Sequence, residues 1–267
     1  MLLAYGASNF TCFKEGIEVS FRLGKGCPAE ISNGKNYSNI LCVKGANGSG
    51  KSNALNVLAF LNEFCCNSFS LKPEEPIEYR TFFSNNSSSF FYVEFSIEKM
   101  EYRYDLELKE GKIVSEIISR KDKRMTAIII RKENKIESRN KDIKELDTIK
   151  LRSNASIIST AHQYELESIE DIYQFFAAIV TNEDYVGASA LISNFSDVAR
   201  LYSENNKHFT FTKEIIKRCD LGIKDIIIKE TSDEVGNKIY VPYFMHNSGN
   251  KDYEIHYNNE SSGTKSL

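Results

Sequence analysis

Apolar residues recur at every second position in several short stretches of the chain. Leu2–Tyr5 and Ile17–Phe21 read as two strands, joined through Ser8-Asn9-Phe10 and the polar turn Lys14-Glu15-Gly16. Asn39–Val43 is a compact apolar run that predicts a strand leading straight into a glycine-rich segment. Beyond it, Leu55, Leu58, Ala59, Leu61 and Asn62 continue a helical stretch to about Cys66, before a polar segment with Pro73 and Pro76. Period-two runs return at Phe90–Ile97, Tyr102–Leu108, Ile113–Ser119 and Thr126–Arg131. Turns at Glu98-Lys99 and Glu110-Gly111 separate them, so the pattern predicts a meander.

The second half reads differently. Ile136–Lys150 is charged, helical or loose, and shows no buried face. Ala155–Thr160 reads as a short apolar strand ending at Ala161-His162-Gln163. Ile169, Ile172, Tyr173, Phe176 and Val180 then recur at helical spacing, which predicts a packed amphipathic helix. Further helices are expected near Ser196–Ser203 and Thr212–Asp220, with Gly222 placed as a C-cap glycine. Asp225–Lys229, Lys238–Met245 and Tyr253–Tyr257 read as final strands. No internal repeat and no sustained heptads occur. The expected architecture is α/β, with N-terminal antiparallel strands, a meander and a helical subdomain, divided into a lobe at 1–160 and a second part at 161–267.

Composition narrows the function classes. The hydrophobic share of 41% and charged share of 27% are ordinary for a soluble globular protein. A net charge of −3 gives no global basic field for nucleic acid, so nucleic acid stays open as a partner that the charge does not support. A local run of Arg120, Lys121, Lys123, Arg124, Arg131, Lys132 and Lys135 reads chiefly as a solvated edge. The N-terminus lacks the pattern of a signal peptide, and no window approaches the roughly 18 apolar residues of a membrane span. Six cysteines show no C-x-x-C pair and no metal-ligand spacing, so free buried thiols in a reducing cytoplasm are expected.

The segment Gly45-Ala46-Asn47-Gly48-Ser49-Gly50-Lys51-Ser52 meets the pattern G-x-x-x-x-G-K-[ST] in full. Glycines let the backbone curl so that successive N–H groups point at phosphate oxygens. The following helix adds the positive end of its dipole. In that pattern Lys51 reaches the β- and γ-phosphates and Ser52 supplies a hydroxyl ligand to Mg²⁺. The expected ligand is ATP with Mg²⁺ on a P-loop NTPase fold. No Asn-Lys-x-Asp motif supports a GTPase, and a small-molecule kinase leaves the far end of the chain unexplained.

That far end reads Glu260-Ser261-Ser262-Gly263-Thr264 and resembles the signature motif of ABC-type ATPases in the branch containing RecF, SMC and overcoming-lysogenization-defect proteins. The opening Tyr5-Gly6-Ala7-Ser8-Asn9-Phe10 with Phe13-Lys14-Glu15, and the form Gly45 to Asn53, look similar to the same branch, and the Glu260-Ser261-Ser262-Gly263-Thr264 variant looks closest to abortive-infection and Septu-like anti-phage ATPases. The resemblance implies an ABC-type ATPase head that pairs with a second head. ATP on Gly45, Asn47, Gly48, Ser49, Gly50, Lys51, Ser52 and Asn53 is then capped by Ser261, Ser262 and Gly263 of the partner. It further implies Asn9 and Phe10 beside the adenine, Lys51 and Gln163 in catalysis, and Gln163 with Ser52 at Mg²⁺. From the residues alone Gln163 is equally a surface glutamine, and Ser261-Ser262-Gly263 taken by itself reads as a flexible polar tail, a reading that the matching N-terminus displaces.

The family's Walker B element, four apolar residues followed by Asp and Glu, is not found. Ile226-Ile227-Ile228 leads to Lys229-Glu230, Ile128-Ile129-Ile130 to Arg131-Lys132, and Ala177–Val180 to Thr181-Asn182-Glu183-Asp184. The sequence thus resembles roughly the first two-thirds of a head. It is expected to have an incomplete core sheet, to bind ATP, to hydrolyse it very slowly alone and to self-associate. An effector subunit is a further expected partner. An ATP-sensing scaffold that never hydrolyses is the second reading, and a transporter nucleotide-binding domain the third.

Overall fold

The computed structural model describes residues 1–181, 183–184, 187–188, 195–219, 222–232, 236–248 and 251–260. It divides the chain into two compact units, Met1–Ala190 and Leu191–Leu267. The expected boundary at 160/161 falls inside a helix, Ile157–Gln163, that packs in the core of the first unit.

In the first unit the strands are β1 (Leu2–Ser8), β2 (Ile17–Ser20), β3 (Ser89–Ile97), β4 (Met100–Lys109), β5 (Lys112–Lys121), β6 (Met125–Lys132) and β7 (Lys135–Arg139). They form one sheet in the order β2-β1-β3-β4-β5-β6-β7, antiparallel throughout. A two-strand pair, β8 (Glu183–Asp184) and β9 (Gly187–Ala188), follows. The helices are α1 (Ala29–Ser32), α2 (Lys51–Asn67), α3 (Ile157–Gln163) and α4 (Glu170–Ala177). The first unit is thus a mixed α/β body with a large antiparallel sheet and several helices.

Alternation puts Phe91, Val93 and Phe95 of β3 on one sheet face with Tyr104, Leu106 and Leu108 of β4, Ile118 of β5 and Ile129 of β6. α2 answers with Ala54, Val57, Leu61, Phe64 and Cys65, spaced at three and four residues and all buried. Ile157, Ile158 and Ala161 of α3 and Ile172 and Phe176 of α4 complete the same core. Phe95 lies flat on Phe175 at 4.0 Å. Each large side chain removed from water here contributes about 1.5–3 kcal/mol.

β1 carries a glycine where the sheet admits nothing larger. A Cβ on Gly6 would stand 2.4 Å from the Ile17 carbonyl oxygen and 2.6 Å from the Tyr92 ring. The contact partner on one side is backbone, which cannot move aside. Gly6→Ala is therefore expected to cost about 1–3 kcal/mol, read as a lower urea midpoint with unchanged slope.

Several expectations change. Within Ala155–Thr160 the chain forms helix from Ile157 rather than strand, because Ser156 caps it by accepting the Ser159 N–H at 2.8 Å and the Ile157 N–H finds a buried carboxylate on β5. Asn39–Val43 joins no strand ladder among the described residues. β1 is already paired on both sides, and Ile40 stands 82% exposed. Ile136–Lys150 supplies β7 and a 3₁₀ turn, Lys141–Thr148, whose Ile143 and Leu146 are buried. α4 ends at Ala177, leaving Val180 exposed. All six cysteines are free, but Cys12, Cys42 and Cys219 are exposed and only Cys65 is fully buried.

The basic run is not one patch. Arg131 is buried, and Arg120, Lys121 and Lys132 pair with Asp122, Glu101 and Glu137.

The second unit contains α5 (Phe195–Glu204), α6 (Asn206–Arg218) and the sheet β10 (Ile223–Ser232), β11 (Lys238–Ser248) and β12 (Lys251–His256), antiparallel in that order. Ile216, Ile223, Ile226 and Phe244 form its small core. Cys219 rather than Gly222 caps α6, and Gly222, at φ +70°, leads into β10. Among the described residues no helix is long and apolar enough to cross a membrane.

Candidate functional site

The glycine segment runs into α2 with the backbone its sequence requires. Gly48 and Gly50 adopt φ of +77° and +90°, a region that side chains disfavour. Gly45 lies close under Ser49, whose Oγ would stand 2.6 Å from a Cβ there and would have to rotate away. Ser49 N–H closes the turn on the Ala46 carbonyl at 3.2 Å. α2 starts at Lys51 with no side-chain cap and no acidic residue in its first turn. A helix start without a competing carboxylate favours an anion. Lys51 Nζ donates to the carbonyls of Gly45 and Ala46, at 2.9 and 2.8 Å. The ammonium group is therefore folded over the loop, held by two neutral acceptors that a phosphate would outcompete.

A second turn braces the loop. Phe10 and Phe13 exchange backbone hydrogen bonds at 3.0 and 2.8 Å, which tightens the connection between β1 and β2. Asn53 Nδ2 donates to Cys12 Sγ at 3.1 Å. A Cβ on Gly50 would lie 3.0 Å from the same sulfur and 3.3 Å from the Phe13 ring. Cys12 and Phe13 thus form one wall of the loop, and sequence spacing gave no sign of either.

Asn9 and Phe10 are both engaged within the protein. Phe10 is fully buried against Phe91 and Phe60, with ring centroids at 5.1 and 5.9 Å, and offers no free face. The Asn9 amide is spent on the Thr81–Ser88 segment. Its Nδ2 donates to Asn85 Oδ1 at 3.0 Å and to the carbonyls of Ser87 and Ser88. Its Oδ1 accepts from Phe82 N and from Asn85 Nδ2, at 3.2 and 2.7 Å.

Gln163 ends α3 and is exposed, with no hydrogen bond among the described residues joining it to the loop. Its neighbour His162 pairs with Glu170 at 2.9 Å and stacks on Tyr173 at 3.5 Å. Burial raises the Glu170 carboxyl, but the bonds from His162 and Gln174 outweigh it and hold the group below its ordinary range. Ser261, Ser262 and Gly263 lie outside the described residues. Glu260 before them is bound to His246 Nε2 at 2.6 Å in the second unit.

The largest polar construction escaped the sequence reading. Glu116 and Arg131 face each other across β5 and β6, both at 0% exposure, with Nη1 and Oε2 2.5 Å apart. Tyr104 donates its hydroxyl to Glu116 at 2.7 Å, and Ile157 N–H at the start of α3 donates to both carboxylate oxygens at 3.1 Å. Arg131 also donates to the carbonyls of Ala155, Arg152 and Glu133, at 2.8, 2.5 and 2.6 Å. Burial pushes both the Tyr104 hydroxyl and the Cys65 thiol well above their ordinary values, so Tyr104 stays a donor. The network welds α3 to the sheet. Its signal in sequence was two opposite charges at inward positions of neighbouring strands.

A profile of an AAA-domain family matches residues 40–267; its description names the AbiEii toxin and type IV TA systems. A search of curated proteins finds no match.

Proposed function

The chain belongs to this AAA-domain family, a nucleotide-binding ATPase fold, and from that premise we propose that the loop Gly45–Ser52 binds ATP with Mg²⁺. One observation carries the reading: Lys51 Nζ rests on the Gly45 and Ala46 carbonyls inside a glycine turn that opens onto an uncapped helix start. The donor set is right for a polyphosphate, since it joins a mobile cation, curled backbone and a helix dipole. Gly45, Asn47, Gly48, Ser49, Gly50 and Asn53 shape the cradle. Lys51 would exchange the two carbonyls for the phosphates, and Ser52 would offer its hydroxyl to the Mg²⁺, whose charge would neutralise the phosphate oxygens.

We further propose an ABC-type head of the RecF/SMC-like branch, cytoplasmic, acting in abortive infection or a DNA transaction. Two heads would close on ATP, with Ser261–Gly263 of one meeting the loop of the other and Gln163 approaching Mg²⁺. The sequence likeness at Glu260–Thr264 and the family description support this reading. The alternative is an ATP-sensing scaffold.

Both readings require binding. Mg-ATP at about 100 times its dissociation constant is expected to stabilise the first unit by roughly 2.7 kcal/mol, seen as a thermal shift; no shift sinks both. Turnover by the isolated chain is expected to be very slow. Robust hydrolysis that disappears in Lys51→Ala would instead show that a catalytic base lies within these residues.

A further inference from the structure

Two turns near the loop hold residues other than glycine in the left-handed region. Asn9 and Thr11 have φ of 50°, and Phe83 and Ser84 have φ of 48° and 54°. Asparagine tolerates this backbone, whereas a bulky side chain such as Phe83 is strained in it. Such strain persists only where surrounding bonds enforce it. Here they do. Asn9 and Asn85 exchange amide hydrogen bonds, Asn85 Nδ2 also donates to the Phe82 carbonyl at 2.6 Å, and Thr81 Oγ1 donates to the Asn85 carbonyl at 2.8 Å.

The product of this construction is an aromatic ring held in solvent. Phe83 is 87% exposed, while Phe82 beside it is half-buried and meets it edge-on with centroids 4.4 Å apart. A single exposed ring is ordinary, but here a backbone that bulky side chains disfavour, fixed by the Asn9–Asn85 bonds, presents the ring outward. The turn is also continuous with the phosphate loop. Thr11 N–H donates to the Arg80 carbonyl at 2.8 Å, and the next residue, Cys12, accepts from Asn53 and borders Gly50.

We propose that Phe83, braced by Phe82, is the stacking platform for the nucleobase of the triphosphate held by the loop. The inference rests on the nucleotide reading above and adds a base contact from an exposed ring, where Phe10 is buried. Every base has a π-face, so a platform of this kind separates nucleotides from bare polyphosphate without choosing among purines.

The chain contains no tryptophan, which makes Phe83→Trp a unique fluorescent reporter that keeps an aromatic face. Its emission is expected to change on adding Mg-ATP or Mg-GTP and to stay constant with Mg-tripolyphosphate. Phe83→Asn removes the ring and suits the left-handed backbone. It is expected to weaken Mg-ATP binding about tenfold and to leave tripolyphosphate binding unchanged. Equal weakening of both ligands would make Phe83 a brace for the loop and overturn the proposal. Unchanged ATP affinity in Phe83→Asn, with both ligands lost in Lys51→Ala, would also overturn it while sparing the phosphate site. If the unaltered chain binds neither ligand, the nucleotide reading and the platform fall together.

Discussion

Arg131→Met is expected to destabilise the first unit by about 3–5 kcal/mol, the cost of stranding a buried charge by removing its partner. The substitution leaves the Glu116 carboxylate at 0% exposure with only the Tyr104 hydroxyl and the Ile157 N–H as donors. It also strips a donor from the carbonyls of Ala155, Arg152 and Glu133. Total stabilities of domains are about 5–15 kcal/mol, so this variant loses a large share of its stability. The double variant Glu116→Leu/Arg131→Met removes both charges and is expected to cost less than the sum of the two single changes. Urea titration with hydrogen exchange on β5, β6 and α3 reads the effect in the correct unit. A loss under 1 kcal/mol in Arg131→Met would mean that water or rearrangement compensates the carboxylate.

Lys51→Ala is expected to leave the fold intact and to weaken Mg-ATP binding about a hundredfold or more. Hydrogen bonds to charged groups contribute about 1.5–3 kcal/mol each, and tenfold in affinity is about 1.4 kcal/mol. Losing two phosphate contacts therefore suffices. The folded state loses little, because Nζ bonds to only two carbonyls of an exposed loop. A thermal scan without ligand should superimpose on that of the unaltered chain, and the Mg-ATP shift should vanish. Raised salt is expected to weaken the unaltered interaction, since an exposed cation and a polyphosphate are screened.

Period two and period 3.6 were enough to read β1 to β6 and α2, because each buries one face against the other. The glycine loop was legible for a different reason: G-x-x-x-x-G-K-[ST] is a fixed residue spacing and not a periodicity of packing. α3 was misread because six residues of apolar sequence fit a strand or a helix equally. Tertiary partners decided it, namely the Ser156 cap and the Glu116 carboxylate waiting on β5. Asn39–Val43 has strand composition, yet both edges of β1 are occupied and composition cannot supply a neighbour. Arg131 was hidden in a basic run, although its inward phase matches Ile129 two residues earlier. Asn9 and Phe10 were legible as a turn but not as a hub, since the partner Asn85 lies 76 residues away. Phe83 gave no periodic signal at all. Its meaning comes from backbone torsion and exposure, which a sequence does not display.

The central claim is that Gly45–Ser52 holds the phosphates of a nucleotide through Lys51 and the start of α2. Calorimetric titration of Mg-ATP into the chain and into Lys51→Ala tests it most directly. The account predicts saturable binding at one site per chain and its loss in the variant. No binding by the unaltered chain, or equal binding by Lys51→Ala, would contradict it.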